Sequence, residues 1–525
     1  MFFHFQNIER DMNFFRGPAV IIMIICAVGI VGAQKNGNRF VPDELLVKYS
    51  PNAKSAVKRD TGANFGAQFI EELGDFGWVR IKVPKRTSLA AAASRLLRSP
   101  EIIYVQPNYY YRLLQDPNDP KFPESGMFGL PMISAPLAWN SATGSRDVVV
   151  AVVDTGMRYT HEDLAANTWT NPGEIAGNDI DDDGNGFIDD VHGYDFFSND
   201  SDPIDENGHG THVTGTIGAV GNNGLGVVGV NWAVSLMAVK IFSATGTDTT
   251  TAMVLNAYSY IRMMKQRGVN VRVTNNSFGG CDENCSFDQA MKDAIDALGD
   301  ADILNIFAAG NGNTDIDAQP FFPASYTSPS IISVASSTSI DSRSGFSNFG
   351  IESVDLAAPG SVILSTTFGA DDTYGIMSGT SMATPHVTGA AALLAAAHPE
   401  LSAASLKATL LNNVDPLPDW LNIVKTGGRL NIASAIQNPT DCAFDLSAAS
   451  FPVRPKGGIF TINVSAAPNC DYLVKDDVNW IHVMGPDTRS GNSDIIFRVS
   501  LSRRISRSAS IKIGGKSVTV TQSRN

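Results

Sequence analysis

Hydrophobic positions fall into patterns that change character along the chain. Glu44–Tyr49 and Trp78–Val83 alternate apolar with polar residues, the period of half-buried strands. An Ala-rich stretch, Ser88–Leu97, predicts a helix, and Ile102–Asn108 a further strand. These make a small α+β unit. The breaker cluster Asp116-Pro117-Asn118-Asp119-Pro120 then reads as an exposed linker. Beyond it the pattern changes. Val148–Val153 and Ile303–Ala309 are unbroken apolar runs, the mark of strands buried on both faces. Helical patterns lie at His209–Ala219, Thr251–Arg267, Asp288–Leu298 and Ser381–Ala397. Strands alternating with helices predict an α/β fold, a parallel sheet with helices on both faces. Near the end Ile495, Phe497, Val499 and Leu501 alternate again, as do Ile511, Ile513, Val518 and Val520. Gly514-Gly515 between the last two runs signals a hairpin, and no helical pattern intervenes, so a small all-β domain is expected.

Composition bounds this picture. The chain has 525 residues, 43% hydrophobic and 18% charged, enough for two to four ordinary globular domains. Its net charge is −14 and it has no long basic run, so nucleic acid is not an expected partner. The apolar stretch Ala19–Ala33 follows Arg16 and is short for a bilayer span. It reads as a signal-peptide core with cleavage after Ala33, which implies export without stable membrane insertion. Glu9 and Asp11 are unusual before such a core, so Met12 is an alternative start. Cleavage removes Cys26 and leaves two local pairs, Cys281 with Cys285 and Cys442 with Cys470. Export permits disulfides, local pairing being favoured among three connectivities. The expected organisation is a signal peptide (1–33), a small α+β domain (34–115), an α/β domain (116–440) and a β domain (441–525).

Four residues of the α/β region suit acyl transfer, which needs a nucleophile, a base, a group orienting the base, and oxyanion donors. Asp154 ends the first buried strand, where α/β sheets place their sites. His209 lies between glycines at a predicted helix start. Ser381 follows Gly379-Thr380 and opens the last helix, whose free N–H groups favour negative charge. Taken alone it would be a helix cap. Asn311, in Ala308-Ala309-Gly310-Asn311, carries a side-chain amide that can donate to an oxyanion.

Together the contexts Val153-Asp154-Thr155-Gly156, Gly208-His209-Gly210-Thr211-His212 and Gly379-Thr380-Ser381-Met382-Ala383, in that order, resemble the subtilase family. The resemblance covers about 116–436. It implies a serine endopeptidase acting on protein or peptide substrates, with Ser381 attacking, His209 as base, Asp154 orienting it, and Asn311 with the Ser381 N–H binding the oxyanion. It also implies that Ser277-Phe278-Gly279 pairs with substrate and forms one wall of the pocket for the P1 side chain. Phe321 and Phe322 would close the pocket floor. The segment 34–115 resembles a propeptide, an intramolecular inhibitor removed by autocleavage near 106–120. The tail, through Cys442-Ala443-Phe444, Gly457-Gly458, Cys470-Asp471-Tyr472, Trp480-Ile481 and the final Val518–Gln522, resembles a BACON-type module, which implies an all-β sandwich domain with a glycan or protein ligand. A monomer is expected. Two other readings remain: an adhesion protein on an inactive protease scaffold, and another acyl hydrolase such as an esterase. All four key residues are present, against the first. Gly-x-Ser-x-Gly is absent at Ser381, against the second.

An acidic insert adds a metal. Asp179, Asp181, Asp183, Asn185 and Asp190 surround a Gly turn at Gly184, alternating hard oxygens as Ca²⁺ requires. The insert departs from an EF-hand in ending on Asp. Asp163 and Asn223 resemble ligands of a second, family-type calcium site.

Overall fold

The computed structural model describes residues 40–51, 53–109, 116–280, 287–476, 478–502, 505–514 and 516–523. The expected signal segment, Cys26 and the Cys281–Cys285 pair lie outside these. The chain divides into two compact units, one ending at Leu113 and the other starting at Leu114.

The first unit is an antiparallel sheet of β1 (Phe40–Tyr49), β2 (Gln68–Leu73), β3 (Trp78–Lys82) and β4 (Ile102–Tyr109), in the order β2-β3-β1-β4. Helix α1 (Leu89–Leu96) is capped by the Ser88 hydroxyl, which accepts from the Ala91 N–H at 3.2 Å. Ala92 and Leu96 join Leu45, Val47, Val79 and Ile81 in its core. The sequence pattern passed over β2, whose Gln-Phe-Ile-Glu-Glu-Leu alternates poorly.

The second unit is built on β5 (Gly144–Asp154), β6 (Gly193–Asp195), β7 (Ala233–Lys240), β8 (Val271–Asn276), β9 (Leu304–Ala308), β10 (Ile331–Ser337) and β11 (Leu356–Pro359). They lie in the order β11-β10-β9-β8-β5-β7-β6, all parallel. Two-residue strands at 428–429 and 415–416 extend the β11 edge. Alternate residues of β5 face opposite layers. Val150 and Val152 pack with α2 (His209–Gly218), α5 (Thr380–Ala397), α6 (Ala403–Asn412) and α7 (Ile432–Gln437). Val149, Ala151 and Val153 pack with α3 (Thr251–Gln266) and α4 (Gln289–Asp300). Burial on both faces explains the unbroken apolar runs. An antiparallel ribbon, β12 (Ile363–Thr366) with β13 (Tyr374–Met377), leads into α5.

The expected linker is exposed at Asp116, Asn118 and Pro120 but buried at Pro117 and Asp119. Asp119 is 2% exposed and its carboxylate accepts from the Asn222 N–H at 2.7 Å. Asn118 accepts from the Gly224 N–H at 2.8 Å, and the Lys121 N–H donates to the Gly226 carbonyl at 2.9 Å. The Pro-rich composition reported a lack of helix and sheet; the side-chain hydrogen bonds that tie it down are non-local.

The tail forms two packed sheets. One contains Gly458–Ser465, Ser493–Val499 and Ile481–Met484; the other contains Lys516–Gln522, Arg507–Ile513 and Asp471–Asp476. Ile495, Phe497, Val499, Ile511, Ile513, Val518 and Val520 form the core between them. Leu501 breaks the expected alternation: the strand ends at Val499 and the residue is exposed. A Cys442–Cys470 disulfide closes the start of the tail.

Candidate active site

Asp154 ends β5 where the strand order reverses, with β7 on one side and β8 on the other. Open α/β sheets form their crevice outside such a switch point. The Asp154 Oδ1 accepts from the Thr155 N–H at 2.8 Å and lies 2.7 Å from the His209 Nδ1. A carboxylate only accepts, so Nδ1 carries the proton and Nε2 keeps its lone pair. Asp154 Oδ2 is buried without a hydrogen-bond partner among the described residues.

Backbone contact requires the glycines around His209. A methyl group on Gly210 would stand 2.1 Å from the Gly156 carbonyl oxygen, so only glycine lets α2 meet the turn after β5. Gly208 caps the helix at φ +103°, in the left-handed region. Asp205, buried at 3% exposure, pins this loop. It accepts from the N–H groups of Asn207, Gly208 and Thr211 and from the hydroxyls of Thr155 and Thr211. Burial works against the His209 imidazolium. The Asp154 carboxylate outweighs it by charge and hydrogen bond, Asp205 adds charge, and the pKa stands above the ordinary histidine value.

Ser381 is the second residue of α5. Its Oγ donates to the Ser277 carbonyl at 3.0 Å, and the Ser277 hydroxyl donates back to the Ser381 carbonyl at 2.9 Å. Pro385 has no N–H for that carbonyl four residues earlier. Ser277 therefore supplies the donor that the helix lacks. No hydrogen bond joins Ser381 to His209 among the described residues. Reaching the imidazole requires the hydroxyl to leave Ser277, a tightening common on substrate binding.

Asn311 Oδ1 accepts from the Thr380 N–H at 2.9 Å and from the Thr380 hydroxyl at 3.0 Å. These bonds orient the amide and leave Nδ2 to donate elsewhere. A methyl carbon built on Gly379 would lie 3.5 Å from the Ser381 N and 3.6 Å from the Asn311 Nδ2. Both donors thus border one small region beside the nucleophile position, the arrangement needed to hold a developing oxyanion. Phe278 turns inward against Phe242 and Phe307, so Ser277–Gly279 presents mainly backbone to solvent.

The acidic insert is arranged differently from an EF-hand loop. Asp183 and Asp190 converge with Glu174. Asn185 Nδ2 bridges Asp183 and Asp190 at 3.2 and 3.1 Å, and Asn171 Nδ2 does the same at 3.1 and 2.8 Å. Tyr260 donates to Asp190 at 2.5 Å. Burial pushes the Asp190 carboxyl up to about 6. Asp179 and Asp181 do not join the cluster: the Asp181 oxygens accept from the N–H groups of Asn185 and Gly186. Elsewhere Asn223 Nδ2 donates to Asp163 at 2.7 Å, as do the Val227 N–H at 2.9 Å and the Tyr374 hydroxyl at 3.0 Å. Asp119 Oδ1 is buried there without a partner. Burial raises the pKa of both Asp119 and Asp163, and the charge of Asp163 raises Asp119 further.

Sequence reasoning missed Asp119, Asp205, Asn171 and Glu174. Asp205, four residues before His209 at a helix start, carried a local signal. The others are brought in by loops.

A model of the subtilase family matches residues 145–436, and a model of the fervidolysin N-terminal prodomain matches residues 27–108. Thermitase of Thermoactinomyces vulgaris is 38% identical over 322 residues, covering 61% of this chain and 99% of its own length. The thermophilic serine proteinase of Bacillus sp. (strain AK1) is 31% identical over 368 residues, covering 70% of this chain and 81% of its own. Among solved structures, a cold adapted subtilisin-like serine proteinase is 33% identical and spans 55% of this chain and 88% of that one, with a TM-score of 0.41.

Proposed function

This chain belongs to the subtilase family, and on that premise we propose that Asp154, His209 and Ser381 are the catalytic triad of an exported, autoprocessed enzyme. It is a serine endopeptidase with a prodomain. The observation that carries the residue assignment is the 2.7 Å contact between His209 Nδ1 and Asp154 Oδ1, which leaves Nε2 basic.

In the proposed mechanism His209 Nε2 takes the Ser381 proton as Oγ attacks the scissile carbonyl. Asp154 holds the tautomer and stabilises the imidazolium. Asn311 Nδ2 and the Ser381 N–H donate to the oxyanion, and the backbone of Ser277–Gly279 pairs with the extended substrate. His209 then protonates the leaving amine, and water releases the acyl group. Comparison of wild type with Ser381→Ala tests this. The wild type trims its N-terminus and reacts with a fluorophosphonate; the variant does neither. A wild type that does neither sinks the assignment.

Structural calcium is part of the proposal. Asp119 and Asp163, with Asn223, fit one ion, because a cation would partner the buried free carboxylate oxygen and relieve the repulsion between the two carboxylates. Glu174, Asp183 and Asp190 fit another. Each would supply rigidity, not chemistry. The segment 34–115 acts as the intramolecular inhibitor. Among the described residues no helix is long and apolar enough to cross a membrane; secretion rests on the leading apolar segment. The mature enzyme is a monomer. A glycan or protein ligand of the tail would bind its exposed surface, because Phe497 is fully buried and Trp480 is covered by Arg507 at 4.2 Å.

A further inference from the structure

Two backbone segments leave the carboxyl ends of the neighbouring strands β8 and β9 and flank Ser381. The first is Ser277–Gly280, hydrogen-bonded to Ser381 through Ser277. The second is Ala308–Gly310, which leads into Asn311. Gly279, Gly280 and Gly310 give the facing walls no side chains. In the proposed mechanism an extended substrate would pair along Ser277–Gly279 with its scissile carbonyl at Ser381 and the carbonyl oxygen toward Asn311. The P1 side chain, borne by the Cα next to that carbonyl, would then be directed into the slot between the two segments.

The slot already holds a ring. A methyl group on Gly279 would meet the Phe321 Cε1 at 2.6 Å, and one on Gly280 would meet the Phe321 Cε2 at 2.6 Å. From the opposite wall a methyl on Gly310 would meet the Phe321 Cε1 at 2.9 Å. The ring therefore touches both walls at once. Its backbone is held: the Phe321 N–H donates to the Ser325 hydroxyl at 3.0 Å, and the Gly280 N–H donates to the Phe322 carbonyl at 2.8 Å. The ring also packs against the cluster containing Ala309 and Ala324. The Phe322 ring takes no part. It lies tilted against Tyr326 at 4.6 Å and meets Phe287 edge-on at 5.6 Å. The expectation that both phenylalanines close the pocket is thus corrected to Phe321 alone.

We infer that Phe321 occupies the P1 slot and makes the enzyme select peptides with Gly, Ala or Ser at P1 and reject aromatic P1 residues. This rests on the reading of Ser381 as nucleophile. Each methylene that a pocket cannot house costs about 10–200-fold in kcat/KM, so an aromatic P1 ring should be disfavoured against Ala by at least about 10²-fold. The selectivity also bears on maturation. Residues 106–120 contain no Gly, Ala or Ser, so self-cleavage there would be driven by intramolecular proximity and not by P1 fit.

The test uses the mature enzyme with two chromogenic peptides, succinyl-Ala-Ala-Pro-Ala- and succinyl-Ala-Ala-Pro-Phe-p-nitroanilide. The wild type should favour the Ala substrate by about 10²-fold in kcat/KM. Phe321→Gly and the milder Phe321→Ala should each shift that ratio toward Phe by at least about tenfold. Fluorophosphonate labelling at the wild-type rate shows that a variant retains its active site. Labelling with a wild-type preference for Phe, or a ratio unmoved in both variants, overturns the slot assignment and leaves the nucleophile reading intact. Absence of labelling in the wild type overturns the nucleophile reading, and the slot assignment with it.

Discussion

The α/β region and the tail both bury charge, and they treat it in opposite ways. In the α/β region two buried carboxylates at the candidate sites are incompletely matched, while Asp195 is paired with Lys240 at 3.0 Å and Asp205 is fully hydrogen-bonded. Asp154 has one oxygen on the His209 imidazole and one without a partner among the described residues. Asp119 has an orphaned oxygen beside Asp163. Against the tail the match is complete: Lys407 of α6, at 4% side-chain exposure, lies 2.8 Å from Asp471 at 7%. Cys442 and Cys470 pack beside that pair on Ala408. Asn412 donates to the Pro468 carbonyl, and Thr488 to the Thr327 carbonyl. A buried charge left half-neutralised is a place where a proton or a cation can be held and moved. A buried charge that is fully paired only holds two surfaces together. The first region should therefore respond to mutation in rate, and the second in stability.

The largest test of that division is Asp154→Asn. It should lower kcat/KM by about 10⁴-fold, because the imidazole loses its tautomer and its stabilising charge. Peptide hydrolysis and a melting curve measured together decide the matter; a lower Tm with the rate intact would erase the contrast. Next comes Lys407→Ala, which leaves Asp471 buried and alone. It should destabilise the protein by about 3–5 kcal/mol in a denaturant titration, with kcat/KM unchanged. Lys407→Met combined with Asp471→Leu should recover most of the loss. Asn311→Leu should cost about 10²–10³ in kcat with little change in KM, since its amide is assigned to the transition state.

A pH series gives the smallest effect and the sharpest separation. In the proposed mechanism the base is neutral His209, whose pKa is raised, so activity should fall as pH drops through a midpoint above about 6.5. At the tail interface burial opposes both charges, but the Lys407 ammonium outweighs it and lowers the Asp471 pKa, as Asp471 raises that of Lys407. A depressed carboxyl contributes stability that is present above its unfolded value near 3.9 and lost as pH falls through the folded one. Docking should thus outlast activity by more than two pH units on the acid side. Activity followed alongside the thermal melting of the protein by circular dichroism reads both limbs, and coincident loss would break the comparison.

Much of this was legible along the chain. Unbroken apolar runs announced β5 and β9, because a strand covered on both faces has no polar side. Asp154, His209, Ser381 and Asn311 stood in short contexts whose glycines are required locally, as Gly210 against Gly156 illustrates. Glu174 and Asn171 were not legible, because loop folding and not spacing delivers them to Asp183 and Asp190. Nor was the different fate of two adjacent phenylalanines.

Sequence by itself determined the candidate residues and the strand and helix ends that carry them, because hydrophobic period and helix-start geometry are local properties. Only the tertiary structure decided the rest. It turned Asp119 from a linker residue into a buried carboxylate, set Phe321 rather than Phe322 between glycine walls, and matched Lys407 to Asp471. Each of these depends on which distant segment supplies the neighbour, and the burial and charge of a side chain are properties of that neighbour as much as of the residue itself.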